Sequence, residues 1–313
     1  MAESSNFPDP FDHTVRFESI GLEDILENET IIVADGSTED RGQLPLWASL
    51  RASASDQLIS LVPDINAETV IVNAKNTIHL RDEEQLDHIT NKEKLLIDIS
   101  GLPHSVWAPL LKSAQKQNIP TRVLYAEPES YKPHPSPASA TLFDLSLDFL
   151  GMAPLPGFVQ LSGPPDEDKC IFVAMLGFEG NRPERLVLQI DPVPKVIPIV
   201  GVPGFQLEYP AFTVACNRVL LDDYRAHKEL RYARASCPFD AYLQLKKIHR
   251  DYPNHYMYIA PVGTKPHSLG AILYSLNNPN NTEILFDHPI RKAGRTKGLG
   301  VIHIYDLGKS PYV

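Results

Sequence analysis

Cysteine is scarce in this chain. Its 313 residues hold three: Cys170, Cys216 and Cys237. None stands in a CxxC or CxH pair, so no zinc site is signalled. An odd, sparse set fits a reducing compartment and excludes a disulfide scaffold. Long apolar runs are also lacking. No stretch reaches the roughly 18 residues that a bilayer span needs. Residues 1–18 carry neither the basic start nor the apolar stretch of a signal peptide. The expectation is a soluble cytoplasmic protein without membrane association, with a short flexible leader over 1–20. Several familiar signatures are absent too. There is no GxGxxG for a nicotinamide cofactor, no GxxxxGK[ST] phosphate loop and no GxSxG nucleophile elbow. Tyr and Trp are scattered, and no stacking platform for single strands is visible.

The charge that is present is unevenly spread. Net charge is −10. Residues 1–150 hold 11 Lys and Arg against 24 Asp and Glu, whereas residues 151–313 hold 18 against 15. So acidic a chain is a poor non-specific partner for duplex DNA, which asks for a broad basic surface. A small anion held in the basic half is compatible with it.

Continuous apolar runs alternate with helical spacing along most of the chain. In the first half, strands are expected at 30–34, 69–72, 94–98 and 122–125. Helices are expected at 47–61, 83–89 and 105–117. Prolines 128, 133, 135, 137, 154 and 156 then break the rhythm, which places a boundary near residue 165. In the second half, strands are expected at 170–176, 195–200, 230–233, 255–260, 283–286 and 301–305. Helices are expected at 183–191, 213–224, 238–250 and 268–276. Pro198 suggests an edge or strand-end position for its strand. The pattern predicts an α/β protein of two Rossmann-like units, 21–165 and 166–313, with mainly parallel sheets and helices on both faces.

In such sheets, ligands bind outside the carboxyl ends of the strands. Four loops there carry chemistry. Gly263-Thr264-Lys265-Pro266 joins a glycine, a hydroxyl, a compact cation and a helix N-terminus, a combination suited to an anion. Gly177-Phe178-Glu179-Gly180-Asn181-Arg182 offers Gly177 at a tight turn and Arg182 as a bidentate donor. Gly201-Val202-Pro203-Gly204 shapes a pocket wall, with Asn217 and Arg218 on the next helix. The late loop 287–298 carries Arg291, Lys292, Arg295 and Lys297, and is long enough to be mobile and fold over an anionic ligand. Gly177, Arg182, Gly263, Thr264, Lys265, Arg291 and Lys292 are the candidate ligand-binding residues. In the first half, Asp35 and Asp98 end strands, with His104 close to the second. Their alternatives are caps and turn formers, or an acid pair able to hold magnesium.

At Gly263-Thr264-Lys265-Pro266 the chain resembles the CRISPR-associated Rossmann fold (CARF) sensors, in which a strand leads into a glycine-threonine-lysine loop and a helix. The loop 35–41, the turn 98–100 and the segments 177–180 and 201–204 look like strand-end motifs of Rossmann-like proteins from prokaryotic defence loci. The resemblance spans most of 30–306. It implies a nucleotide-sensing site with Thr264 and Lys265 near ligand phosphates, in a cytoplasmic protein of antiviral defence that works with a protein partner or as a homo-oligomer. The usual sensor is fused to an effector domain, and none is visible in the sequence. Two other readings stand beside it. One is an enzyme acting on a nucleotide or a phosphodiester, with Asp35, Asp98 or Glu179 as acid, base or magnesium ligand. The other is a structural subunit of a larger complex.

Overall fold

The computed structural model describes residues 14–17, 26, 28–53, 55–138, 141–161 and 163–308. The first half provides β1 (Thr14–Phe17), β2 (Thr30–Ala34), α1 (Pro45–Ser53), β3 (Leu58–Asp64), β4 (Thr69–Val72), β5 (Asn76–His79), α2 (Glu83–Thr90), β6 (Leu95–Asp98), α3 (His104–Lys116) and β7 (Thr121–Ala126). Short strands follow in the proline-rich stretch: β8 (Ser130–Tyr131), β9 (Pro133–Ala138), β10 (Thr141–Phe143) and β11 (Ser146–Phe149). The second half provides β12 (Cys170–Met175), α4 (Asn181–Val187), β13 (Lys195–Gly201), α5 (Tyr209–Cys216), α6 (Arg218–Asp223), β14 (Arg231–Ala233), α7 (Pro238–Asp251), β15 (Tyr256–Pro261), α8 (Lys265–Asn277) and β16 (Thr282–Ile284). The chain then forms β17 (Pro289–Arg291), β18 (Thr296–Lys297) and β19 (Ile302–Asp306).

The protein is mixed α/β, with an eight-stranded and a five-stranded sheet as its two main sheets. The first runs β1-β19-β7-β6-β2-β3-β4-β5 and the second β14-β13-β12-β15-β16. Every pairing in the second sheet is parallel. The first sheet is parallel only at its centre, from β7 through β6 and β2 to β3. Antiparallel strands flank it on both sides.

Period-two alternation sets the layers. On β2, Ile31 and Val33 face a cluster with Trp47 of α1, while Ile32 faces the opposite side. On β12, Phe172 and Ala174 face Leu186 of α4 and Leu220 of α6. Ile171, Val173 and Met175 face the middle of the molecule. There one hydrophobic cluster holds Val106 and Leu110 of α3, Leu245 of α7, and Leu269 and Leu273 of α8, together with strand residues of both sheets. The two halves share this core. The packing is continuous across the expected division near residue 165, and β19 from beyond it belongs to the first sheet.

Several expectations are corrected. Residues 301–305 were expected to finish the second sheet. Instead β19 returns to the first, antiparallel to β7 with Ile304 opposite Leu124. Part of the expected leader, Thr14–Phe17, is a strand on β19; the leader's other residues lie outside those described. The expected helix 47–61 ends at Ser53, and its second half is β3. Leu58, Ile59 and Leu61 are buried apolar residues of a kind that serves a strand or a helix equally well. Pro198 lies on an internal strand, paired opposite Ala174. It is tolerated because β14 pairs only with Ile199, Val200 and Gly201, so the ladder on that flank begins after the proline. The expected helix 213–224 is two helices that meet at Asn217.

Candidate functional site

The carboxyl ends of both sheets open onto one cavity of about 310 Å³. The first half contributes Asp35, Glu39 and Arg41 after β2, His104 at the start of α3, and Tyr125 on β7. The second half contributes residues 176–179 after β12, Gly201 at the end of β13 with Gly204 and Phe205 beyond it, and residues 262–265 after β15. Tyr131, Tyr209, Phe286, Arg291 and Arg295 complete the wall.

Its electrostatics are organised by two glutamates, one from each half. Glu39 receives Arg41 Nε at 2.8 Å, Arg295 Nη2 at 2.6 Å and the Thr296 hydroxyl at 2.8 Å. Arg41 also donates to the Tyr125 hydroxyl at 2.9 Å. Burial works to raise the Glu39 pKa, but Arg41 and Arg295 override it and hold the carboxyl well below its ordinary value. Glu179 receives Arg291 Nη1 at 2.7 Å and lies 3.4 Å from Arg182 Nη1. Here too burial is outweighed, by Arg291 and Arg182, and the carboxyl stays ionised. Arg182 is 1% exposed and grips Asp287 through Nε at 2.9 Å and Nη2 at 2.6 Å. The late loop therefore straps the cavity. Arg291 binds the glutamate of the second half and Arg295 that of the first. β17 and β18 pin the strap to β11 and β8. The segment expected as a loop thus carries two short strands and ion pairs to both halves.

One wall is aromatic. Phe178 stacks on Phe143 with ring centroids 4.2 Å apart, and meets Tyr131 and Tyr209 edge-on at 5.3 and 5.1 Å. Phe205 lies 5.9 Å from Tyr125. On another part of the wall, His104 packs 4.7 Å from Phe286. The lining thus combines five cationic side chains (Arg41, Arg182, Lys265, Arg291 and Arg295), three carboxylates (Asp35, Glu39 and Glu179) and several aromatic faces.

The predicted residues divide sharply in role. Lys265 is at the cavity, but its ammonium donates to three backbone carbonyls of the first half: Ile99 at 2.5 Å, Ser100 at 2.7 Å and Leu102 at 2.8 Å. Burial and the nearby Arg41 pull its pKa down. Three acceptors for three N–H bonds are what the charged form needs. Lys265 is a tether between the two sheets, with no proton left for a phosphate. Thr264 caps α8: its hydroxyl accepts from the His267 amide at 3.3 Å and donates to the Ala235 carbonyl at 2.7 Å. Gly177 and Gly263 meet backbone to backbone. A Cβ on Gly263 would sit 2.6 Å from the Leu176 carbonyl oxygen, and one on Gly177 would sit 3.0 Å from that of Val262. Strand-end packing therefore explains both glycines. Lys292 is not part of the cavity wall and pairs with Asp144. Arg291 remains as a cation with accessible surface on the cavity, its side chain 28% exposed.

The acid pair is not assembled. Asp98 is fully buried, accepting from the Trp47 indole at 2.8 Å and from the Ser100 amide at 2.8 Å. Burial raises its pKa against these donors. Asp35 sits on the cavity rim and pairs with Arg51 at 3.4 Å. Glu179 is held between arginines. Among the described residues, no group of three or more His, Cys, Asp or Glu is placed to hold a metal ion. Nor is any helix among them long and apolar enough to cross a membrane. Cys170 is buried on β12, and Cys237 is buried before α7.

Sequence reasoning did not single out Tyr125, Tyr131 or Tyr209; it held Glu39 and Arg41 only as part of the loop 35–41, and Arg295 only as one cation of the late loop. A signal for two of them exists: after the first central strand of each half a glutamate is followed closely by an arginine, Glu39 and Arg41, then Glu179 and Arg182. No protein-family model matches the chain, and no match was found among curated proteins.

Proposed function

We propose that this protein binds a small organic anion of the nucleotide class in the cavity between its two sheets, and that the bound ligand is what it senses. The observation that carries the reading is the wall itself, where guanidinium groups and aromatic faces converge at the strand carboxyl ends. Guanidinium suits phosphate oxygens, and aromatic faces suit a base. A crevice at this edge is where open α/β sheets place their ligands. The view of each half as a Rossmann-like unit belongs to this proposal. So does a place in prokaryotic antiviral defence, with signalling to a protein partner, which rests on the resemblance at residues 263–266.

The test is thermal denaturation against ribonucleoside mono- and triphosphates and cyclic oligonucleotides. A ligand that binds only the folded state stabilises it by about 2.7 kcal/mol at a hundred times its Kd. At least one member of the panel raises the melting temperature, and Arg291→Gln reduces that rise. A panel without any shift removes the reading.

A further inference from the structure

Among the groups lining the cavity, His104 stands apart. The arginines and glutamates are partnered to one another, and the lysine is spent on carbonyls. The imidazole of His104 has a nitrogen, Nε2, that is buried and has no hydrogen-bond partner. The residue is 7% exposed and lines the cavity. Pro103 precedes it as the cap of α3, so the ring rises from the first position of a helix. Phe286 at 4.7 Å and Trp107 at 5.2 Å hold the ring plane. A site that required only apolar filling would be served by a leucine or a phenylalanine. The imidazole adds a nitrogen, and a buried nitrogen without a partner is unfavourable until something meets it.

Resting on the reading of the cavity as a nucleotide site, we infer that His104 is the residue that recognises the uncharged polar edge of the ligand, its base, while the guanidinium groups recognise its phosphates. Burial, with Lys265, Arg291, Arg182 and Arg295 nearby, holds the ring well below its ordinary pKa. It is therefore neutral at physiological pH, with one nitrogen donating and the other accepting. A neutral reader suits a base edge, where donors and acceptors alternate, whereas the phosphate end calls for cations.

The experiment compares two probes on the intact protein by titration calorimetry, ribonucleoside triphosphates and inorganic tripolyphosphate. Wild type binds at least one nucleotide more tightly than tripolyphosphate. His104→Phe keeps the ring and its packing but removes the nitrogens. It weakens that nucleotide by about tenfold, the weight of one buried hydrogen bond, and leaves tripolyphosphate unchanged. His104→Gln restores an amide donor and acceptor and recovers most of the loss, which a packing role would not give. Arg291→Gln weakens both probes. Should His104→Phe fail to fold, the imidazole nitrogen resonances of the wild-type protein replace it: His104 Nε2 shifts with nucleotide and stays still with tripolyphosphate. Equal losses for the two probes, no loss for either, or a still resonance with bound nucleotide would overturn the role of His104 while leaving the site. A wild type that prefers tripolyphosphate overturns base recognition. Binding of neither probe overturns the nucleotide reading itself.

Discussion

Lys265 offers the sharpest test of how the two halves are joined. Lys265→Met keeps the aliphatic stem and deletes the ammonium. Three carbonyls then lose a donor, and their residues, Ile99, Ser100 and Leu102, are at most 1% exposed. An unsatisfied buried polar group costs about 1–3 kcal/mol. Against that, the variant no longer desolvates a charge, a relief of several kcal/mol. Three such groups cost about 3–9 kcal/mol together, and subtracting the relief leaves a net loss of about 2–4 kcal/mol at the middle of that range. For a chain of this size each kcal/mol moves the melting temperature by roughly 2 °C, so the midpoint falls by roughly 4–8 °C. Scanning calorimetry without ligand measures it directly. A variant that melts within about 1 °C of wild type, yet loses ligand affinity, would refute the tether and return Lys265 to the phosphate-binding role that its loop suggested.

Other consequences are equally direct. Gly263→Ala places a Cβ 2.6 Å from the Leu176 carbonyl oxygen and 3.0 Å from that of Met175; it destabilises by about 1–3 kcal/mol in chemical denaturation, and a neutral result would show that the strand ends separate freely. Trp47→Phe strips one donor from the buried Asp98 carboxylate and costs about 1–3 kcal/mol by urea unfolding, whereas an unchanged midpoint would mean that Asp98 is carried by Ser100 alone. Glu39 is depressed in the folded state below its ordinary value of 4.5, so its contribution is present above that pH and is lost as pH falls below it toward the folded value. Glu39→Gln is therefore destabilised by about 3 kcal/mol at neutral pH through two stranded arginines, and its deficit narrows in unfolding curves taken stepwise below pH 4.5; a deficit that stays constant with pH would show that Glu39 is not a charged hub.

The sheets were legible in the sequence where apolar runs were continuous. β12, β13 and β15 are buried on both faces, and periodicity has only to find their length. β3 was hidden because Leu58, Ile59 and Leu61 follow directly on a helical pattern, with only a few residues between. The destination of β19 was not legible at all. Its residues fit either sheet, and register with β7 is a fact of tertiary packing. The same limit applies to the site. Gly263-Thr264-Lys265 lines the cavity, but the partners of the Lys265 ammonium were invisible in its loop, because the carbonyls that satisfy it lie more than 160 residues earlier in the chain. Asp98 was read either as a cap or turn former or as one of an acid pair; its carboxylate holds the Ser100 amide, as a turn former's does.

The pairing of every cavity arginine with a carboxylate bears on how an anion would bind. An incoming phosphate meets guanidinium groups that already have partners, so it gains only the difference between itself and a glutamate. Arg182 is closed to it, locked on Asp287 and the Val262 carbonyl. Arg41 is 3% exposed and engaged by both Glu39 and Tyr125. Arg291 and Arg295 are different, because both belong to the strap and each ties it to another half of the molecule. A ligand that draws either guanidinium toward itself loosens one anchor of that strap. On the proposed reading, the most exposed of these guanidinium groups, Arg291, is one that also holds the strap.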